Sequence, residues 1–160
     1  MPRDKLGAPE LECFMQAQGV QWQILHLDVP TPTVEAAAQA VGARPEQIIK
    51  SILFMVDGQP VLAIACGLST IGRRPIADLF KVGKKRVRLA SAGQVLESSG
   101  FEVGAMPPFG HRQKLRTLID RRVLEVPDAY AGGGAENALV RLNPLDIQRV
   151  TGAEILDLLE

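Results

Sequence analysis

The sequence of 160 residues contains few of the residue types that build disulfide frameworks and metal centres. Its two cysteines, Cys13 and Cys66, lie far apart and neither belongs to a Cys-x-x-Cys pair. A disulfide framework or a zinc site is therefore disfavoured, and a reducing cytoplasm is favoured. Its two histidines, His26 and His111, have no partner at the spacing of metal ligands. We expect neither a metal nor a cofactor.

Long apolar runs are absent as well. No stretch reaches the roughly 18 consecutive apolar residues of a membrane-spanning helix. Residues 1–5 lead into no apolar segment, so no signal peptide is expected. The contents of 46% hydrophobic and 22% charged residues are ordinary for a folded globular protein. Because this length suits one core, we expect residues 1–160 to form a single domain in the cytoplasm.

The chain has no net charge, which argues against a protein that coats nucleic acid without specificity. The charges are nevertheless unevenly distributed, because residues 73–122 contain twelve basic and only four acidic side chains. Two interpretations remain open for this stretch. It forms either an ordinary solvated surface or the contact surface for a phosphate-bearing partner.

Two familiar catalytic motifs are also missing. No segment supplies the Gly-x-x-x-x-Gly-Lys-Ser/Thr pattern of a phosphate-binding loop. The segment from Gly67 to Gly72 contains Ser69, but its second glycine comes one residue too late for Gly-x-Ser-x-Gly. We interpret His26, within a predicted strand, and Cys66, at a strand end, as structural residues. An enzyme with this sequence would depend mainly on positioning its substrate.

Hydrophobic periodicity and turn chemistry predict helices and strands in mixed order. Asp57-Gly58 joins two apolar runs and predicts a hairpin. Predicted helices begin near Pro9, Thr33, Pro75, Ser91, Asn143 and Thr151, and the helix from Pro75 is closed by Gly83. Predicted strands cover residues 21–27, 51–56, 61–66, 86–89, 115–120 and 138–142. This order favours an α/β (α+β) fold with a mixed sheet over a doubly wound parallel one.

Lys50 stands alone among apolar residues at the start of a predicted strand. Such a lysine is either a solvated strand end or an ammonium group that holds a phosphate or ribose oxygen.

Two glycine-containing segments are further candidates for a binding site. Residues 103–111 place Pro107 and Pro108 between glycines, which predicts a stiff loop with fixed carbonyls and glycine donors. This loop is either a rigid turn over the core or part of a site. The run of three glycines at 132–134 either lets a ligand approach the backbone closely or forms a flexible turn.

Seven short segments occur in a characteristic order along roughly residues 11–159. They are Thr31-Pro32, Ala36-Ala37-Ala38, residues 49–54 around Lys50, Gly104 with Pro108-Phe109-Gly110, Leu118-Ile119-Asp120, Ala131-Gly132-Gly133 and Asn143-Pro144 with Asp146. Together they resemble the YbaK/ProX family of aminoacyl-tRNA deacylases, whose members are similar to the inserted editing domain of bacterial prolyl-tRNA synthetase.

The resemblance implies a mixed, partly barrel-like β-sheet flanked by helices. It implies that Lys50 is essential and anchors the terminal adenosine of a tRNA. The loop of residues 104–110 would hold the aminoacyl group and the attacking water, with Gly104 and Pro108 as catalytic positions. The other residues implied to line the pocket are Thr31, Met106, Pro107, Phe109, Gly110, His111, Asp120, Gly132 and Gly133. Many relatives have Gly-x-Ser where this chain has Ala-Met-Pro at 105–107, so the amino acid specificity stays open.

The activity implied by the resemblance is trans-editing. The chain would hydrolyse the ester bond of mischarged tRNA carrying a small amino acid, alanine first and then cysteine, serine or threonine. Its partner would be the acceptor end of the tRNA, without a cofactor. Docking onto prolyl-tRNA synthetase and the choice between monomer and homodimer stay open. The alternatives are a non-catalytic binding module for aminoacyl-tRNA or aminoacyl-adenosine and a DNA-binding domain, although no helix-turn-helix or basic helix is recognisable.

Overall fold

The computed structural model describes residues 5–160. Residues 1–4, on which the expectation of no signal peptide partly rests, lie outside the described residues. The α-helices of the described chain are α1 (Ala8–Ala17), α2 (Val34–Val41), α3 (Arg73–Phe80), α4 (Ala92–Ser99) and α5 (Pro144–Thr151). The strands are β1 (Trp22–His26), β2 (Ile49–Val56), β3 (Gln59–Cys66), β4 (Val87–Leu89), β5 (Arg116–Asp120), β6 (Ala129–Gly132), β7 (Ala138–Leu142) and β8 (Glu154–Leu156). None of these helices is long and apolar enough to cross a membrane.

The strands form two sheets. The larger has the order β4-β2-β3-β5-β8, and the smaller has the order β1-β7-β6. In the larger sheet β2 runs antiparallel to β3 and β4, while β3 and β5, and β5 and β8, run parallel. The predicted α+β class and mixed sheet are therefore confirmed. The partly barrel-like sheet takes the form of these two sheets, which do not close into a barrel within the described residues.

Local turn and cap signals form as predicted. Asp57 and Gly58 have φ angles of 49° and 82°, the left-handed pair that a two-residue hairpin turn requires. The Thr33 hydroxyl accepts a hydrogen bond from the Ala36 N–H at 3.0 Å and caps α2. Ser91 and Asn143 cap α4 and α5 in the same manner.

The predicted sixth helix beginning at Thr151 is wrong. Thr151 is the last residue of α5, and its hydroxyl donates to the Ile147 carbonyl at 2.7 Å. The chain then turns at Gly152, with a φ of 65°, and residues 154–156 form β8 beside β5. The open edge of β5 outweighs the local capping pattern, and this long-range pairing has no signature in the nearby sequence.

The bounds of α3 also differ from the prediction, and the structure contains a strand that the sequence does not predict. Helix α3 begins at Arg73, two residues before Pro75, and ends at Phe80 rather than at Gly83. Lys81 takes the left-handed position after the helix, with a φ of 56°. Strand β6 was not predicted at all, because its small residues carry little β-propensity.

Strand β2 has a packed core on each side of the sheet. Ile49 and Leu53 belong to one hydrophobic cluster, and Phe54 and Val56 belong to a second. Because side chains alternate along a strand, Lys50 shares a face with Phe54 at the end of the second cluster. The next residue, Ser51, points to the face of Leu53.

Candidate active site

A cavity of about 300 Å³, here called the central cavity, lies at the start of β2 beside the N-terminus of α2. Five of the residues singled out from the sequence line it: Thr31, Lys50, Gly104, Met106 and Gly132. They come from four separate parts of the chain. The structure therefore brings the lysine and the first half of the 103–111 loop into one space.

Lys50 is half-buried at the wall of this cavity. Its ammonium group donates to the carbonyl of Ser69, in the segment that follows β3. Burial lowers the pKa of Lys50 from its ordinary value. Among residues 5–160 no carboxylate forms an ion pair with it. Lys50 is thus a positioned cation with unused donors rather than a freely solvated strand end.

Ser51 is the next residue of β2 and also lines the central cavity. Its hydroxyl oxygen is buried and has no hydrogen-bond partner in the part of the chain that the structure describes. An unsatisfied buried hydroxyl costs about 1–3 kcal/mol, so it calls for an explanation. A polar group of a bound molecule would satisfy it.

His111, at the end of the 103–111 loop, fixes the loop backbone. His111 donates from Nε2 to the Pro107 carbonyl at 2.8 Å, since a carbonyl can only accept. The imidazole also meets the Phe101 ring edge-on, with the ring centres 6.2 Å apart. Burial lowers the pKa of His111 to about 4, so the ring is neutral at physiological pH. His111 supports the loop backbone.

Two residues of the loop that line the cavity have backbone N–H groups without a partner among residues 5–160. Gly104 has a φ of 90°, which a residue with a side chain adopts only with strain. The N–H groups of Gly104 and Met106 donate to no other described residue. Such main-chain donors, fixed in place, can stabilise a developing negative charge on a substrate oxygen.

The three glycines at 132–134 serve close contacts within the chain itself. A Cβ on Gly132 would lie 2.1 Å from the Met106 carbonyl oxygen, and one on Gly133 would lie 2.7 Å from Ala138. The Gly134 N–H donates to the Ala105 carbonyl at 3.0 Å. The loop backbone, which carries Gly104 and Met106, therefore packs directly on this glycine run.

The remaining predicted positions do not share the central cavity. Phe109, Gly110 and His111 line another cavity of about 240 Å³, which has no lining residue in common with the first. Pro107 and Pro108, in the middle of the loop, are buried and line neither cavity.

Asp120 and Gly133 are buried and line neither of these two cavities. The Asp120 carboxylate accepts from the Leu158 N–H at 2.8 Å and pairs with Arg122 at 3.1 Å. These contacts tie the end of β5 to the C-terminal segment.

Sequence reasoning missed Ser51 because it lies within an apolar run that reads as core. A signal was present, since a serine beside Lys50 breaks the apolar pattern of the strand. Its lack of a partner is a tertiary property that no local pattern reveals.

Comparisons with known proteins agree with this geometry. The model of the aminoacyl-tRNA editing domain matches residues 28–150. The solved structure of a candidate trans-editing enzyme for prolyl tRNA synthetase has a TM-score of 0.87 and 31% sequence identity, and the match covers 96% of both chains. YwhH of Bacillus subtilis, an uncharacterized protein, is 25% identical over 84% of this chain and 87% of its own length.

A proline–tRNA ligase of Maridesulfovibrio salexigens is 30% identical over 82% of this chain. The matched region is 22% of the ligase, so the chain corresponds to about a fifth of that enzyme. These matches confirm the resemblance that the ordered segments indicate. The chain belongs to the aminoacyl-tRNA editing domain family.

Proposed function

We propose that this protein is a trans-editing aminoacyl-tRNA deacylase, which hydrolyses the ester bond of mischarged tRNA. The observation that carries the proposal is that Lys50 and the loop residues Gly104 and Met106 line one cavity. Among residues 5–160, Lys50 has no counter-ion and the two loop N–H groups have no acceptor. The family and its editing role support the same activity.

The central cavity favours a small amino acid. Its volume of about 300 Å³ is at the lower end of the ~300–1,000 Å³ range of ligand pockets. It must hold part of an adenosine as well, which leaves little room for a side chain. Alanine is the first candidate, followed by cysteine, serine and threonine. Since one methylene is worth only ~1–3 kcal/mol of binding, exclusion by size must provide the selectivity.

The mechanism requires little side-chain chemistry. An aminoacyl ester is already activated, so hydrolysis needs a positioned water and stabilisation of the oxyanion. In our proposal Lys50 holds the terminal adenosine through a phosphate or ribose oxygen, and the N–H groups of Gly104 and Met106 face the ester oxygen. Since no carboxylate or imidazole of residues 5–160 lines the cavity, and Lys50 holds the adenosine in this proposal, the neighbouring ribose hydroxyl of the substrate orients the water.

The substrate suggests where the protein acts and with which partners. We propose that it works in the cytoplasm on the acceptor end of tRNA, as a single domain. Its similarity to part of a proline–tRNA ligase makes tRNA charged by that enzyme the first to test. Docking on the ligase would be a further step of the same proposal.

A panel of mischarged tRNAs tests the activity. Release of alanine, cysteine, serine, threonine and proline is measured from the same tRNA, and alanine is expected to be released fastest. Lys50→Ala should lose activity at least a hundredfold while its urea-unfolding midpoint stays near that of the wild type. Lys114→Ala, which removes a cation from the other cavity, is the matched control.

Two outcomes would contradict the proposal. Retention of most activity in Lys50→Ala would remove the role of the ammonium group. Tight binding of every aminoacyl-tRNA without release of any amino acid would instead favour the non-catalytic binding module.

A further inference from the structure

A larger cavity of about 490 Å³ adjoins the central cavity along β2, and we call it the basic cavity. Lys50 and Ile52 line both cavities, so the two cavities meet at this strand. Arg73 and Lys84 add two more cations to its wall, and Glu160 adds one carboxylate. The side chains around the basic cavity therefore carry an excess of positive charge.

Arg73 and Lys84 differ from the ion-paired arginines of the 73–122 stretch. Arg86 pairs with Asp57 at 2.5 Å, and Arg116 pairs with Glu154 at 2.8 Å. Within residues 5–160, neither Arg73 nor Lys84 forms an ion pair or a hydrogen bond through its side chain. Their charges are therefore available to a ligand.

The position of Arg73 is also electrostatically unfavourable in the free protein. Arg73 and Arg74 occupy the first turn of α3, and that turn contains no acidic residue. The positive end of the helix dipole disfavours cations there by about 0.3–1 kcal/mol each. An anion bound between Arg73 and Lys84 would offset this repulsion.

We propose that the basic cavity binds backbone phosphates of the single-stranded 3′ end of tRNA, immediately before the terminal adenosine. This inference rests on the proposed function, since the aminoacylated adenosine would occupy the central cavity. The chain of phosphates then continues past Lys50 towards Arg73 and Lys84. In this proposal Arg73 and Lys84 have a role in RNA binding, whereas the ion-paired arginines of the basic stretch have a structural role.

The test is the salt dependence of RNA binding. The probe is an uncharged RNA hairpin that ends in single-stranded CCA, compared with the same hairpin ending bluntly. The variant is Arg73→Gln with Lys84→Gln. The matched control is Arg74→Gln with Lys85→Gln, which removes the same charge at the adjacent exposed positions outside the cavity.

The expected result is specific to the variant and to the CCA end. Log affinity falls as log salt rises, and each cation that contacts a phosphate of single-stranded RNA makes this slope steeper by about 0.7. The loss of two cations should therefore make the slope shallower by about 1.4. Its affinity for the CCA hairpin should fall on the order of tenfold, and it should bind both hairpins equally. The control should retain the wild-type slope. Equal losses in variant and control, or equal losses for both hairpins, would overturn the inference.

Turnover separates this inference from the proposed function. With a mischarged tRNA the variant should raise KM about tenfold and leave kcat unchanged, because its residues contact RNA away from the ester. If the wild type hydrolyses no mischarged tRNA, the proposed function fails, whereas the hairpin measurement still decides whether the basic cavity binds RNA.

Discussion

The carbonyl oxygen of Met106 occupies the space that a side chain would need at Gly132, since an ideal Cβ there would lie only 2.1 Å away. Gly132 ends β6, and Met106 belongs to the loop that lines the central cavity. The smaller sheet thus positions the loop by direct backbone contact. A residue of any other type at 132 would displace the loop from the cavity.

Gly132→Ala is therefore expected to reduce deacylation at least tenfold. It should also lower the free energy of unfolding by about 1–3 kcal/mol, the usual cost of overpacking. Both effects are measurable by turnover and urea denaturation. Gly93→Ala is the control, because a Cβ there has no contact closer than 4.0 Å and α4 gains helix propensity. Full activity in Gly132→Ala would show that the loop tolerates displacement.

Ser51→Ala should leave the unfolding free energy unchanged or slightly raised, because the lost hydroxyl has no partner among the described residues. Ser99→Ala provides the contrast. The Ser99 hydroxyl donates to the Val95 carbonyl at 2.6 Å and accepts from the Phe101 N–H at 3.0 Å, so its removal should cost about 1–3 kcal/mol. If the Ser51 hydroxyl binds substrate, kcat/KM falls about five- to a hundredfold. Unchanged kinetics would leave the Ser51 hydroxyl without a role in catalysis.

His111 should make stability depend on pH. Its pKa is lowered from 6.5 to about 4 by burial, so the unfolded chain takes up a proton that the folded chain resists. The stabilisation is complete above pH 6.5 and is lost as the pH falls towards 4, up to about 3 kcal/mol. His111→Gln can still donate to the Pro107 carbonyl and should flatten this decline. Urea-unfolding midpoints of the wild type and of His111→Gln at pH 7, 6 and 5 measure this decline. An equal decline in both proteins would show that His111 is not its cause.

Asp120→Asn distinguishes a substrate contact from a structural one. Asp120 is fully buried and pairs with Arg122, so loss of its charge should lower the unfolding free energy by about 1–3 kcal/mol. Because Asp120 does not line the central cavity, kcat should change less than twofold. A fall in kcat/KM without loss of stability would show instead that the carboxylate meets the substrate.

Much of this fold is determined by short-range chemistry that the sequence displays. Asp57-Gly58 specifies its hairpin because few other residue pairs adopt two successive left-handed conformations. Thr33 and Ser91 start their helices because their hydroxyls satisfy backbone donors three residues away. Lys50 was identifiable because an isolated charge in an apolar strand is unusual. The ordered family segments then implied which loop it would face.

Tertiary structure decided what depends on residues distant in sequence. The segment after Thr151 becomes β8 because β5 offers an open edge, against the local capping pattern. Gly132 faces the Met106 carbonyl, while Phe109 and Gly110 line a different cavity although they follow Met106 closely. Local propensities cannot report such pairings, because their free energy comes from packing between segments that meet only in the folded chain.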